Sequence, residues 1–159
     1  MKNVETMRWV ESEVKANASF QVDCADALER QASTLLNLLL AGAGGALAYT
    51  VSLAEKHAVI WQQMGMAGTS AWLFFVAAML LMRVLWSRPI YGPANDPENL
   101  KAAHEMELAD ALGYELENRQ FCIAYNRSRN DTVGRWLNIC RWLATATPLA
   151  FLVVAWVVL

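Results

Sequence analysis

Three stretches of this chain are almost free of charge, and each approaches the length needed to cross a lipid bilayer. Residues 33–54 (STLLNLLLAGAGGALAYTVSLA) carry no charged side chain, and residues 69–86 (TSAWLFFVAAMLLMRVLW) carry one, Arg83, close to the end. Residues 142–159 (WLATATPLAFLVVAWVVL) again carry none. A helix needs roughly 20 apolar residues to cross a hydrocarbon core of about 30 Å, so each run reads as a span, the second slightly short. The competing reading is a buried helix in a soluble protein. It fails because three such runs in 159 residues leave too little polar chain to cover them. The chain is 56% hydrophobic and 18% charged, whereas soluble domains run near a quarter charged. Its seven Trp lie mostly near the ends of apolar runs.

Flanking residues set the boundaries. Arg83 can snorkel toward headgroups, and Arg88 with Pro89 marks the limit just beyond. Arg135 and Arg141 flank the start of the third run, where Trp136 and Trp142 serve as interfacial anchors. Orientation follows from Lys and Arg. The N-terminal segment holds Lys2, Arg8, Lys15 and Arg30, and the loop over 55–68 holds only Lys56. The connector between the second and third spans holds Arg88, Lys101, Arg119, Arg127, Arg129 and Arg135. The positive-inside rule places the N-terminus and this connector in the cytoplasm and the Leu159 end outside. The expected layout is a cytoplasmic helix over 1–32, a transmembrane hairpin over 33–87, a cytoplasmic helical connector over 88–134 and a third transmembrane helix over 135–159. The fold class is an all-α membrane protein. No cleavable leader is expected, because the N-terminus is charged and the first apolar run starts too far in.

Residues 3–31 contain no Gly or Pro and are rich in Glu, Lys, Ala and Arg, which predicts a helix. Val10, Val14, Ala18, Val22 and Ala25 form its apolar stripe. Run on into the first span, it would make a rod roughly 75 Å long at 1.5 Å per residue. After the turn-rich YGPANDPEN, Asp96 as N-cap, Pro97 at the first position and Glu98 predict a second helix to about Arg129. Asn130 and Asp131 offer a break before the third span, or the helix continues. Its stripe is Leu108, Leu112, Leu116 and Ile123, with Arg119 nearby. Two narrow stripes must cover each other or neighbouring subunits, so a homo-oligomer with contacts at Leu108, Leu112, Leu116, Arg119 and Ile123 is the expectation.

Little in the chain is equipped for catalysis. There is no nucleophile elbow, P-loop, GxGxxG or zinc-type spacing, and the expected topology separates His57 from His104. No cofactor or metal is expected, and the chain is read as no enzyme. A net charge of −2 gives no case for direct nucleic-acid binding. Cys24, Cys122 and Cys140 read as reduced small hydrophobes. The acidic groups Asp23, Asp26, Glu29 and Glu105, Glu107, Asp110, Glu115, Glu117 read as solvated helix faces, or as partners for Arg119, Arg127 and Arg129 of a neighbouring subunit.

The first span is more informative. Ser33, Asn37, Ala41, Gly44, Ala48 and Ser52 recur at three or four residues and share one face. Lipid does not call for small or polar side chains, whereas another helix or a wet cavity does. This face is either a close-packing surface, with Gly44 and Gly45 letting backbones approach, or a pore-lining face on which Asn37 and Ser52 are wetted. The loop with Val59, Ile60 and Trp61 reads as interfacial or as a plain connector. Pro148 frees a carbonyl and can kink the third span.

The stretch ADALERQASTLLNLLLAGAGGAL (25–47) resembles the small transmembrane effectors of bacterial antiphage systems, the Pycsar transmembrane effector and SLATT-type families. Asp26, Gln31, Ala32, Ser33, Leu35 and Leu36 carry the likeness, which extends over roughly residues 20–130. The resemblance implies an oligomer in the bacterial inner membrane that disrupts or depolarises it on infection, killing or arresting the cell. The chain departs from that pattern by lacking a recognisable cyclic-nucleotide-binding domain and by adding a third apolar run. The trigger is then an upstream sensor protein or a nucleotide signal. Two other readings stand beside it: a non-pore membrane adaptor anchoring a cytoplasmic partner, and a holin-like protein. A transporter is disfavoured, because there are neither inverted repeats nor a charged midplane site.

Overall fold

A computed structural model describes residues 2–86, 89–92 and 106–158, and all its described secondary structure is helical. Helix α1 is Lys2–Glu55, α2 is Ile60–Leu80, a π-helical segment follows at Leu81–Leu85, α3 is Leu108–Thr145 and α4 is Thr147–Val158. Contacts divide the chain into two units: Met1–Ala27 with Arg88–Thr132, and Leu28–Ser87 with Val133–Leu159. Arg88 and the Asp96–Pro97 cap lie outside the described residues, as does His104.

Helix α1 runs without a break from the polar N-terminal segment into the apolar run, as the absence of Gly and Pro before Gly42 dictates. It ends on His57, whose φ of 53° is left-handed. The Ala58 N–H bonds to the Leu53 carbonyl at 3.0 Å and the His57 N–H to that of Ala54 at 3.1 Å. This is the Schellman closure, with His where Gly is usual. The connector is therefore only four residues, 56–59. Ile60 and Trp61, expected in a loop reaching Gly68, instead open α2. Residues 62–68, placed in that loop by the sequence, continue α2. Its glycines in fact serve helix packing, as shown below.

Helix α3 starts at Leu108, with Met106 and Glu107 non-helical, so no single helix extends from Pro97. The Glu107 carbonyl receives the N–H groups of Asp110 and Ala111, both at 3.0 Å. Asn130 and Asp131 produce no break, and α3 continues to Thr145.

The third apolar run is not one straight helix. The axis bends by 49° between α3 and α4. Helix α4 has 12 residues, about 18 Å at 1.5 Å per residue, too short to span alone. The cause is Pro148, which has no N–H for the Ala144 carbonyl. The Thr147 hydroxyl bonds that carbonyl instead, at 2.6 Å. The neighbouring Leu143 carbonyl receives the indole N–H of Trp72 at 3.1 Å. Among the described residues two helices are thus long and apolar enough to cross a membrane, and three if the bent pair is one crossing.

Within the second unit, Ala32 and Leu39 of α1, Val76, Ala77 and Leu80 of α2, Val84, and Val133, Leu137 and Cys140 of α3 form one buried cluster. Between apolar helices in lipid, close packing and hydrogen bonds hold the contact, since the tails are as apolar as Leu. The Ser70 hydroxyl accordingly bonds the Ala43 carbonyl at 2.8 Å, and Leu73 lies 3.2 Å from where a Cβ on Gly42 would stand. Gly65 and Gly68 give α2 a flat face for α4: a Cβ on either would come within 2.7 Å of Phe151 or Val154. Within the first unit, Ala18, Gln21 and Ala25 of α1 are buried, as are Asn126 and Asn130 of α3.

Candidate functional site

The α1 helix has two small-residue faces, and only one is used inside the chain. Ala32, Leu39, Ala43 and Ala46 are buried. Ser33, Asn37, Ala41, Gly44 and Ala48 are exposed, and Ser52 is half-buried. A Cβ on Gly44 or Gly45 would meet nothing within 4 Å, so neither glycine serves a close approach within the chain. Among the described residues the Asn37 amide has no side-chain hydrogen bond. By contrast Thr34 and Thr50 return their hydroxyls to the carbonyls of Arg30 and Ala46 one turn back. The exposed face therefore combines small side chains with one amide that bonds to no side chain or carbonyl among the described residues.

Of the residues expected as interfacial anchors, Arg83, Trp136 and Arg141 have specific partners. The Arg83 guanidinium stacks 4.9 Å from the centre of the Trp136 ring. Arg141 donates to Gln31 Oε1 at 2.8 Å and to Asn138 Oδ1 at 3.2 Å. Trp142 is 77% exposed, and Arg135 is exposed. Arg88 lies outside the described residues.

Of the residues expected to touch neighbouring subunits, Leu112, Leu116, Arg119 and Ile123 are half-buried within one chain. Nothing is described of the Leu108 side chain. Arg119 pairs with Glu115 one turn back on its own helix. The exposed side chains of α3 in this unit include Tyr114 and Phe121.

Two amide contacts of the first unit had no counterpart in the sequence reading. Asn130 Nδ2 donates to the Gln21 carbonyl at 2.8 Å, and its Oδ1 accepts from Arg129 Nη1 at 3.2 Å. Asn126 clamps the backbone of Tyr91, donating to its carbonyl at 2.8 Å and accepting its N–H at 3.2 Å. Tyr91 thereby meets Tyr125 edge-on, ring centres 5.0 Å apart. A signal for the first contact was present: Gln21 falls at the apolar spacing of Val14, Ala18 and Ala25, where a polar residue is out of place.

The Cys122 thiol is pushed above its ordinary value, first by burial and then by the nearby Glu115 carboxylate. It is a poor nucleophile at neutral pH. A cleft of about 840 Å³ at the start of α3 is lined by Met106, Glu107, Asp110, Gly113, Tyr114 and Glu117. Among the described residues its polar side chains are carboxylates and a phenol. Among the described residues no three His, Cys, Asp or Glu side chains gather as metal ligands would.

No family model matches the chain, and no curated protein or solved structure matches it.

Proposed function

We propose that the chain is an inner-membrane effector of bacterial antiphage defence, which self-associates through the exposed face of α1 and permeabilises or depolarises the membrane when infection is sensed. One observation carries this reading. Asn37 lies in the apolar part of α1 on an exposed face of small residues, and its amide has no side-chain partner among the described residues. An amide left unpaired in an apolar medium costs roughly 2–7 kcal/mol. A second copy of the chain, or water in an open pore, removes that cost. In the closed assembly copies meet at Asn37, Ala41, Gly44 and Ala48. In the open assembly Asn37 and Ser52 line water. The N-terminus is cytoplasmic, by the Lys and Arg distribution, and the trigger is an upstream sensor protein or a nucleotide signal. The likeness of residues 25–47 to the small antiphage effectors supports the same reading.

The alternative is a membrane adaptor that anchors a cytoplasmic partner without forming a pore. The exposed Trp9, Phe20, Tyr114 and Phe121 of the first unit favour it. Dye and ion release from liposomes separates the two. The effector reading expects release by the wild-type chain, alone or with infected-cell extract, and a changed release with Asn37→Leu. An adaptor releases nothing under either condition, and its Asn37→Leu variant retains its partner.

A further inference from the structure

The second unit carries guanidinium groups at one level, and we propose that this level binds the phosphate of anionic phospholipid headgroups. Two contacts establish the level. Arg141 of α3 reaches Gln31 of α1, next to Arg30. Arg83, in the π-helical segment after α2, stacks on Trp136 of α3. Trp136 and Arg141 are five residues apart on one helix, about 7.5 Å along its axis. That matches the depth of one headgroup layer, roughly 5–7 Å by the difference between the full bilayer and its hydrocarbon core.

The contacts hold these groups without neutralising them. Arg83 faces an indole ring, and Arg141 faces the two neutral amides of Gln31 and Asn138. Arg30 and Arg83 are exposed, as is Arg141. Within residues 28–87 and 133–159 the acids are Glu29 and Glu55, and Glu55 closes the far end of α1. Within the second unit Glu29 is thus the one carboxylate near this level, against the guanidinium groups of Arg30, Arg83, Arg135 and Arg141, while Asp26 and Asp131 stand about one turn before Arg30 and Arg135 on α1 and α3. Trp86 and Trp142, 68% and 77% exposed, add ring surface of the kind that settles among headgroups. A guanidinium presents a planar fork of donors that matches phosphate oxygens. Phosphatidylglycerol keeps a net negative charge, whereas the choline of phosphatidylcholine cancels that of its phosphate. The chemistry thus selects anionic lipid rather than phospholipid in general. The inference requires only that these helices lie in a bilayer, and it stands or falls separately from pore formation.

The test is native mass spectrometry of the full chain in detergent, titrated with phosphatidylglycerol or phosphatidylcholine. The wild-type chain is expected to retain phosphatidylglycerol about tenfold more tightly. Arg83→Gln with Arg141→Gln should reduce that preference to about twofold or less. Arg83→Lys with Arg141→Lys keeps the charges and should keep most of the preference. Lys56→Gln, beyond the far end of α1, should leave it unchanged. Equal retention of the two lipids by the wild-type chain would overturn the proposal. So would an undiminished preference in the Gln pair, or its complete loss in the Lys pair. Displacement of phosphatidylglycerol by millimolar glycerol phosphate would identify a soluble phosphate ligand instead, and overturn the lipid assignment.

Discussion

The indole N–H of Trp72 donates to the Leu143 carbonyl at 3.1 Å, one helix supplying a donor where another is about to break. The Thr147 hydroxyl performs the same service for Ala144. Proline in a helix is expensive because it removes a donor and crowds the carbonyl four residues back. Here both carbonyls next to the break are satisfied, so the 49° bend is a built feature of the third apolar segment. Trp72→Phe, which keeps the ring and removes the N–H, should lower stability in micelles by about 1 kcal/mol. Thr147→Val should do the same. Denaturant or SDS titration followed by helicity measures both, and unchanged midpoints would mean that the carbonyls find other donors.

Glycines on α2 and α1 should behave oppositely. A Cβ on Gly65 or Gly68 would come within 2.7 Å of Phe151 or Val154, whereas one on Gly44 would meet nothing. Gly65→Leu and Gly68→Leu are expected to destabilise the single chain by about 1–3 kcal/mol through overpacking. Gly44→Leu should leave the single chain as stable as before, or slightly more so, because Gly is a poor helix former. Unfolding midpoints in dilute detergent distinguish them.

The Gln21–Asn130 contact makes a sharper prediction, because a second substitution should offset part of the cost of the first. Asn130→Leu leaves the Gln21 carbonyl and the Arg129 guanidinium short of partners and should cost about 1–3 kcal/mol. Changing Gln21 to Leu as well removes its side-chain Oε1, which accepts from Asn130 Nδ2 at 3.4 Å, but leaves its carbonyl and Arg129 in place. The double variant should recover the smaller part of the loss that comes from that side chain, as apolar replacement of buried polar pairs often does. Thermal unfolding of the two singles and the double closes the cycle.

Cys122 should alkylate slowly at neutral pH. Its thiol is raised by burial and by Glu115, so less thiolate is present at a given pH than on an unperturbed cysteine. The rate should climb as pH rises beyond the ordinary thiol range. Glu115→Gln removes the second cause and should speed alkylation at neutral pH. Iodoacetamide labelling in a Cys24→Ser, Cys140→Ala background reads this directly, and a rate indifferent to Glu115→Gln would contradict it.

Two long helices were legible from charge and length alone. Residues 33–54 lie within α1, and 69–86 overlap α2 and its π-helical end, because hydropathy over roughly 20 residues is a strong signal. The start of α2 was not legible, since Gly65 and Gly68 read as loop until Phe151 and Val154 are seen against them. The three-residue spacing of those glycines, which puts both on one helix face, was the available hint. Pro148 announced a kink, but the end of α3 at Thr145 depends on donors from Trp72 and Thr147, which no local pattern reveals. The small face with Asn37 was legible as a face. That Ala32, Leu39, Ala43 and Ala46 form the face used within the chain, leaving Asn37 exposed, required the packed structure.

The proposed assembly requires copies of this chain to meet through that exposed face of α1, and particle mass tests this most directly. The chain weighs 17.7 kDa. Light scattering on the detergent-solubilised wild-type protein, corrected for bound detergent, is predicted to give a defined multiple of that mass, and Gly44→Leu or Asn37→Leu should lower it while the helix content stays. A wild-type particle of a single chain, or a multimer unchanged by both substitutions, would rule that assembly out.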